Sequence, residues 1–157
     1  MRPAMDKLDG RDRAILRLLQ QDGRLTNAEL AERVNLSPSA CLRRVKLMEE
    51  RGLIDRTVML LDPQAAGLPG VAFVLLTLDQ QGRAALDAFE AAIQRHPEAS
   101  ECCLLAGTAD YMVRVVYADA ADFERIHTEI LTQLPGVVRV QSTLALRTVK
   151  RTTALPV

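Results

Sequence analysis

Two helix starts lie eleven residues apart in TNAELAERVNLSPSACLRRVKLMEERG, residues 26–52, leaving room for one short helix and a tight corner between them. The first start is Thr26 with Glu29 three residues on. This is a capping box, in which the hydroxyl takes an orphan N–H of the first turn and the carboxylate returns to the backbone N–H of the cap. A helix is expected from there through Val34. The second start is Ser37 followed by Pro38, an N-cap with proline at the first helical position, where its missing N–H costs nothing. The break therefore falls at Asn35-Leu36-Ser37, a connector of the length that sets two helices at roughly 90–120° in a helix-turn-helix unit.

Phase decides what the second helix shows to solvent. At about 100° per residue, Cys41, Leu42, Val45 and Met48 fall on one side. Ser39, Arg43, Lys46, Leu47 and Glu50 centre on the other, flanked by Ala40 and Arg44, so the outer side is basic in its first two turns. Arginine suits bidentate contact with guanine and with phosphate, and a recognition helix reads bases with its N-terminal residues. Ser39 and Arg43 are the expected base-edge residues, Arg44 and Lys46 are expected on phosphates, and Ser37 and Ala40 complete the DNA-facing set. An ordinary solvated helix face would look similar in isolation. The preceding capped helix and the tight turn favour the DNA reader.

The charge pattern agrees. The 157-residue chain has zero formal net charge, yet residues 1–61 hold twelve Lys/Arg against nine Asp/Glu and residues 62–157 hold eight against eleven. A mildly basic half suits phosphates and an acidic half does not. With no apolar run long enough for a bilayer and no signal-like N-terminus, a soluble cytoplasmic protein is expected. Cys41, Cys102 and Cys103 are an odd number without a secretory signal, so no disulfide framework is expected. Neighbours such as Cys102 and Cys103 on a strand point to opposite faces, which makes a poor ion clamp. His96 and His127 have no ligand-like spacing to a cysteine. No metal site, cofactor or catalytic constellation is expected.

The rest of the chain supplies two domains. Leu8, Ile15, Leu16, Leu18 and Leu19 form an apolar stripe on a first helix that Asp9 could cap and Gly23 ends. After Gly52, Leu53-Ile54 and Val58 to Leu61 bracket Asp55-Arg56-Thr57 like the two short strands of a wing. Residues 1–61 thus read as a winged helix-turn-helix domain. DPQAAGLPG, residues 62–70, holds two prolines and two glycines and reads as a linker or hinge. Over residues 71–157 strand candidates 71–78, 101–106, 111–117 and 137–146 alternate with helices 83–95 and 121–134 in the order βαββαβ. That is a ferredoxin-like α+β domain with both helices on one face of an antiparallel sheet. VAFVLLTL and YMVRVVY are apolar on both faces, so the bare sheet face is expected to meet a partner subunit.

With these parts in place the chain resembles the leucine-responsive/asparagine-responsive regulator family, Lrp/AsnC, from end to end. The matching segments are LDGRDRAILRLLQQDGRLTNAELAERVNLSPSACLRRVKLMEERGLI, ECCLLAGTADYMVRVV, LPGVVRVQSTLALRTVK and TTALP. The resemblance implies a transcription regulator that binds double-stranded DNA as dimers, often assembled into octamers, with a C-terminal domain (RAM or ACT-like) that senses an amino acid or related metabolite. It places an effector pocket between C-terminal domains of neighbouring subunits, at Gly107, Thr108, Asp110 and Tyr111 of the hairpin and at Ser142 and Thr143 of the last strand. A glycine turn exposes backbone N–H groups to a carboxylate, and Asp110 offers a charge for an α-amino group. The alternative is that Gly107 and Asp110 simply make the turn. Many members carry an acidic residue where this chain has Thr108 and a basic one where it has Leu47. Two other classes stand beside the regulator: a DNA-organising protein without an effector, and a regulatory module of amino-acid metabolism.

Overall fold

A computed structural model describes residues 8–157; residues 1–7, part of the expected first domain, lie outside the described residues. The chain forms two units. One runs up to Leu60 and includes Lys150–Val157, and the other is Leu61–Val149.

The first unit holds α1 (Gly10–Gln21), α2 (Asn27–Arg33) and α3 (Pro38–Glu50). Each begins where its capping residue stands. Asp9 accepts from the Arg11 and Asp12 N–H groups, Thr26 and Glu29 form the reciprocal box, and Ser37 accepts from the Ala40 N–H. The corner between α2 and α3 closes through Asn35 at φ 51°, with Asn35 N–H donating to Glu32 and Leu36 N–H to Ala31. Those two bonds make a Schellman turn, whose left-handed position asparagine tolerates. Leu8, Ile15, Leu16, Leu30, Ala31, Val34, Cys41 and Met48 fill the core. Each fully buried aliphatic side chain contributes about 1.5–3 kcal/mol.

Two segments differ from the sequence reading. The expected wing strands are not paired among the described residues: Leu53 and Ile54 turn back so that both N–H groups donate to Met48 O, and Val58–Leu61 stand exposed. The expected linker is a capped helical turn. Asp62 Oδ1 accepts from Ala65 N–H, Leu68 N–H donates to Pro63 O, and Gly67 closes the turn at φ 76°. Pro63 and Gly67 are its start and stop signals.

The second unit is a four-stranded antiparallel sheet in the order β2-β3-β1-β4, with β1 Gly70–Leu78, β2 Ala99–Leu104, β3 Tyr111–Tyr117 and β4 Val137–Leu144. Helix α4 (Arg83–Ile93) and helix α5 (Ala120–Arg125), which continues as a π turn Ile126–Ile130 and a 3-10 turn Leu131–Gln133, complete the ferredoxin-like arrangement. Alternation puts Ala72, Val74, Leu76 and Leu78 of β1 with Tyr111, Val113 and Val115 of β3 against Phe89, Ile93, Ile126, Ile130 and Leu131. Phe73 on the opposite face is 41% exposed.

The tail marks the third difference. Expected as part of the second domain, it docks on α1. The Gln20 amide donates to Leu155 O at 3.1 Å and accepts from Leu155 N–H at 2.6 Å, and Arg17 donates to Val157 O. Lys150 and Arg151 thereby raise the first unit from twelve cations to fourteen against the same nine carboxylates, +5, and leave the second unit at −5, six against eleven.

Candidate nucleic-acid interface

Helix α3 presents a strip of Ser39, Leu42, Arg43, Lys46, Leu47 and Glu50 along its outer side. Leu42, expected inside, is 44% exposed, while Cys41 and Met48 are buried. Ser39 hydrogen-bonds to the Ser37 hydroxyl at 3.2 Å, so the capping residue also orients its neighbour. Ala40 is half-buried and its N–H is taken by the cap. Arg43 and Lys46 are exposed, and among the described residues neither is ion-paired.

Arg44 goes elsewhere. Its Nη1 donates to Asp9 Oδ2 and to Asp12 Oδ1, both at 2.7 Å, and its side chain is only 25% exposed. The reason is helical spacing. Residue 44 lies three after Cys41 and four before Met48, on the stripe that packs toward α1. The hydrogen bonds that Arg44 donates to Asp12 and then to Asp9 push its pKa up. The Asp12 backbone N–H, and after it the Arg44 guanidinium, hold the Asp9 carboxyl below its usual range.

Sequence reading missed three further parts of this unit. Asp12 was not singled out as a partner for α3. Asn27 Nδ2 donates to Pro38 O at 2.8 Å, tying the start of α2 to the first turn of α3. Arg11 donates to Asn35 O, holding the corner to α1. An Asp-x-x-Asp before an apolar stripe and an Asn in the corner were the available signals.

In the second unit the expected effector residues separate. Asp110 is buried, and its carboxylate accepts from Leu78 N–H and from Gln81 Nε2, each at 2.7 Å. Tyr111 is buried as well, stacked on Phe89 with its hydroxyl donating to Glu90 at 2.8 Å. Both side chains are thus engaged within the protomer, and Tyr111 pairs with Leu76 on the core face of the sheet. Gly107 and Thr108 remain exposed. Ser142 pairs with Val74 and Thr143 with Phe73, so they face opposite sides of the sheet. Tyr111 and Ser142 flank β1 on different edges two residues apart in register, which is about 10 Å or more. One protomer therefore does not bring the hairpin and Ser142-Thr143 together.

Cys41 is in the first core, while Cys102 and Cys103 pair with Val113 and Met112 on opposite faces. Burial first, then Cys103 and Glu90, push the Cys102 thiol up to about 11, which keeps it protonated. Among the described residues no helix is long and apolar enough to cross a membrane.

Comparison with known proteins matches both units. A family model described as the Lrp/AsnC ligand binding domain covers residues 71–155, and one described as winged helix-turn-helix DNA-binding covers residues 8–55. The chain belongs to the Lrp/AsnC family. This Lrp/AsnC chain is 37% identical over 154 residues to the leucine-responsive regulatory protein of Salmonella typhimurium, spanning 98% of this chain and 93% of that one. Among solved structures it is similar to a transcriptional regulator from Neisseria meningitidis in complex with L-Met, at TM-score 0.90 and 38% identity over 95% and 96% of the two chains. An AsnC family regulator from Agrobacterium tumefaciens gives TM-score 0.90 and 36% identity over 95% and 97%. The Lrp/AsnC protein described here is thus a DNA-binding transcriptional regulator with a ligand-binding domain, not an enzyme.

Proposed function

We propose that this regulator reads duplex DNA through the outer face of α3, with Ser39 and Arg43 at base edges and Lys46 on phosphate. An amino acid or related metabolite bound between C-terminal units of neighbouring copies adjusts that binding. It acts in the cytoplasm as dimers that assemble further, up to octamers. The observation that carries the reading is the pair Arg43 and Lys46, exposed and, among the described residues, not ion-paired, beside Ser39 on the strip that α3 turns to solvent. Free guanidinium and ammonium groups at helical spacing are what phosphates and guanine edges require.

Two features support the effector half. The Neisseria relative was solved with L-Met. Gly107 has no positive φ and a β-carbon built on it meets nothing within 4 Å, so the turn itself does not need glycine. A ligand brought against the backbone would need it. Since the hairpin and Ser142-Thr143 lie apart in one protomer, the pocket takes them from different copies.

The test is a gel-shift titration at defined salt with Arg43→Ala, alongside thermal-shift screening of the twenty amino acids. Loss of DNA affinity in the variant and stabilisation by at least one amino acid support the proposal. Wild-type affinity in Arg43→Ala removes the α3 assignment, and the absence of any stabilising amino acid favours a DNA-organising role without an effector.

A further inference from the structure

The two carboxylates that receive Arg44 are already fixed by α1. Asp9 Oδ1 accepts from the Arg11 and Asp12 N–H groups, and Asp12 Oδ2 accepts from the Asp9 N–H at 3.3 Å. The remaining oxygen of each, Asp9 Oδ2 and Asp12 Oδ1, takes the Arg44 guanidinium. All four oxygens are thereby assigned. The helix cap doubles as a preorganised receptor for a side chain of α3.

Packing alone leaves the roll of α3 loosely set. Its buried stripe is narrow, with Cys41 and Met48 as the fully enclosed residues, and apolar contact is non-directional. A charge-assisted hydrogen bond is directional. Residues 43 and 44 stand about 100° apart around the helix, so anchoring one side chain inward aims the other outward. We propose that Arg44 is a positioning residue for DNA reading: clamped between Asp9 and Asp12, it sets the roll of α3 that turns Ser39, Arg43 and Lys46 outward, and it makes no phosphate contact itself. The proposal rests on the assignment of the α3 outer face to DNA. The Asp9-Arg44-Asp12 group carries a net −1, which disfavours a phosphate beside it. Removing Arg44 would also leave two uncompensated carboxylates close to the reading face.

The full-length chain is tested on a duplex that the wild type selects from a random-sequence pool, with affinity measured across a salt series for Arg44→Met, Arg44→Lys, Asp12→Asn, the Arg44→Met/Asp12→Asn double variant and Arg43→Ala. Arg44→Met should lose about tenfold in affinity, the size of a misaligned base contact, with an unchanged slope of log affinity against log salt. Asp12→Asn should weaken binding too, although it removes a negative charge, and the double variant should be no worse than the more severe single. Arg44→Lys should lose less than Arg44→Met, since Nη1 alone makes both bonds and an ammonium can also donate to two carboxylates, though from a flexible stem. The opposite result is a slope reduced by about 0.9 in Arg44→Met with neutral or tighter binding by Asp12→Asn, which makes Arg44 a phosphate ligand and overturns the proposal. Should Arg44→Met fail to fold by circular dichroism, Asp12→Asn still decides the sign. Wild-type binding by Arg43→Ala instead strikes the α3 assignment.

Discussion

The ring of Tyr117 lies over Gly70 in the space that a β-carbon would occupy. The two residues pair across β1 and β3, and the Tyr117 ring also meets Phe123, with centroids 5.1 Å apart. An aromatic ring covering a strand glycine shields backbone that has no side chain of its own. The first strand after the linker therefore starts at glycine for a packing reason, since Gly70 does not have a positive φ. Gly70→Ala should destabilise the second unit by about 1–3 kcal/mol through overpacking. In a Tyr117→Ala background the same change should cost far less, which a double-mutant cycle on thermal or urea melts reads directly. Additive losses would separate the two residues.

Asp110 should behave as a joint of the sheet. Asp110→Ala leaves the buried Leu78 N–H and the Gln81 amide without their acceptor. A loss of about 1–3 kcal/mol is expected for such an orphaned group, with Asp110→Asn milder because it keeps one carbonyl oxygen. Unchanged melting in Asp110→Ala, with effector response abolished, would return this residue to the ligand.

Gly107 should show the reverse pattern. A β-carbon there has open space and ordinary φ, so Gly107→Ala and Gly107→Leu should melt like the wild type without effector. The stabilisation that an amino acid gives the wild type should shrink in alanine and vanish in leucine. A variant that melts early on its own would show that the turn does require glycine.

The acid limb of stability should depend on the first turn of α2. The Thr26 backbone N–H, then its hydroxyl, hold the Glu29 carboxyl below its ordinary value of 4.5. A carboxyl depressed in the folded state stabilises above its unfolded pKa, and that contribution is lost as pH falls through the lower folded value. Glu29→Gln keeps a side-chain acceptor at this position and removes the charge. Wild type should melt above Glu29→Gln near neutral pH, and the difference should close below pH 4.5. A gap that persists in strong acid would assign the difference to geometry rather than charge.

The local signals were legible because they act within a few residues. Thr26 with Glu29, Ser37 with Pro38, and Gly52 each supply the donor, acceptor or φ that a helix end needs, and each helix begins or ends beside them. The βαββαβ order followed from periodicity for the same reason. Where one residue served two local grammars the reading slipped, as with Asp62-Pro63 and Gly67, which start and stop a turn rather than merely interrupting the chain.

The sequence by itself determined the three helices of the first unit with their corner, the βαββαβ order of the second, and the family, because capping and periodicity are set by neighbours in the chain. Only the tertiary structure decided which charged groups are free. Arg43 and Arg44 are adjacent and chemically identical, yet one faces solvent and the other is bound by two carboxylates of α1. Asp110 looks like an open hairpin charge and is consumed by Leu78 and Gln81, residues about thirty positions away. The partner of a charge is fixed by the packing of distant segments, and that distance in sequence is what hid it.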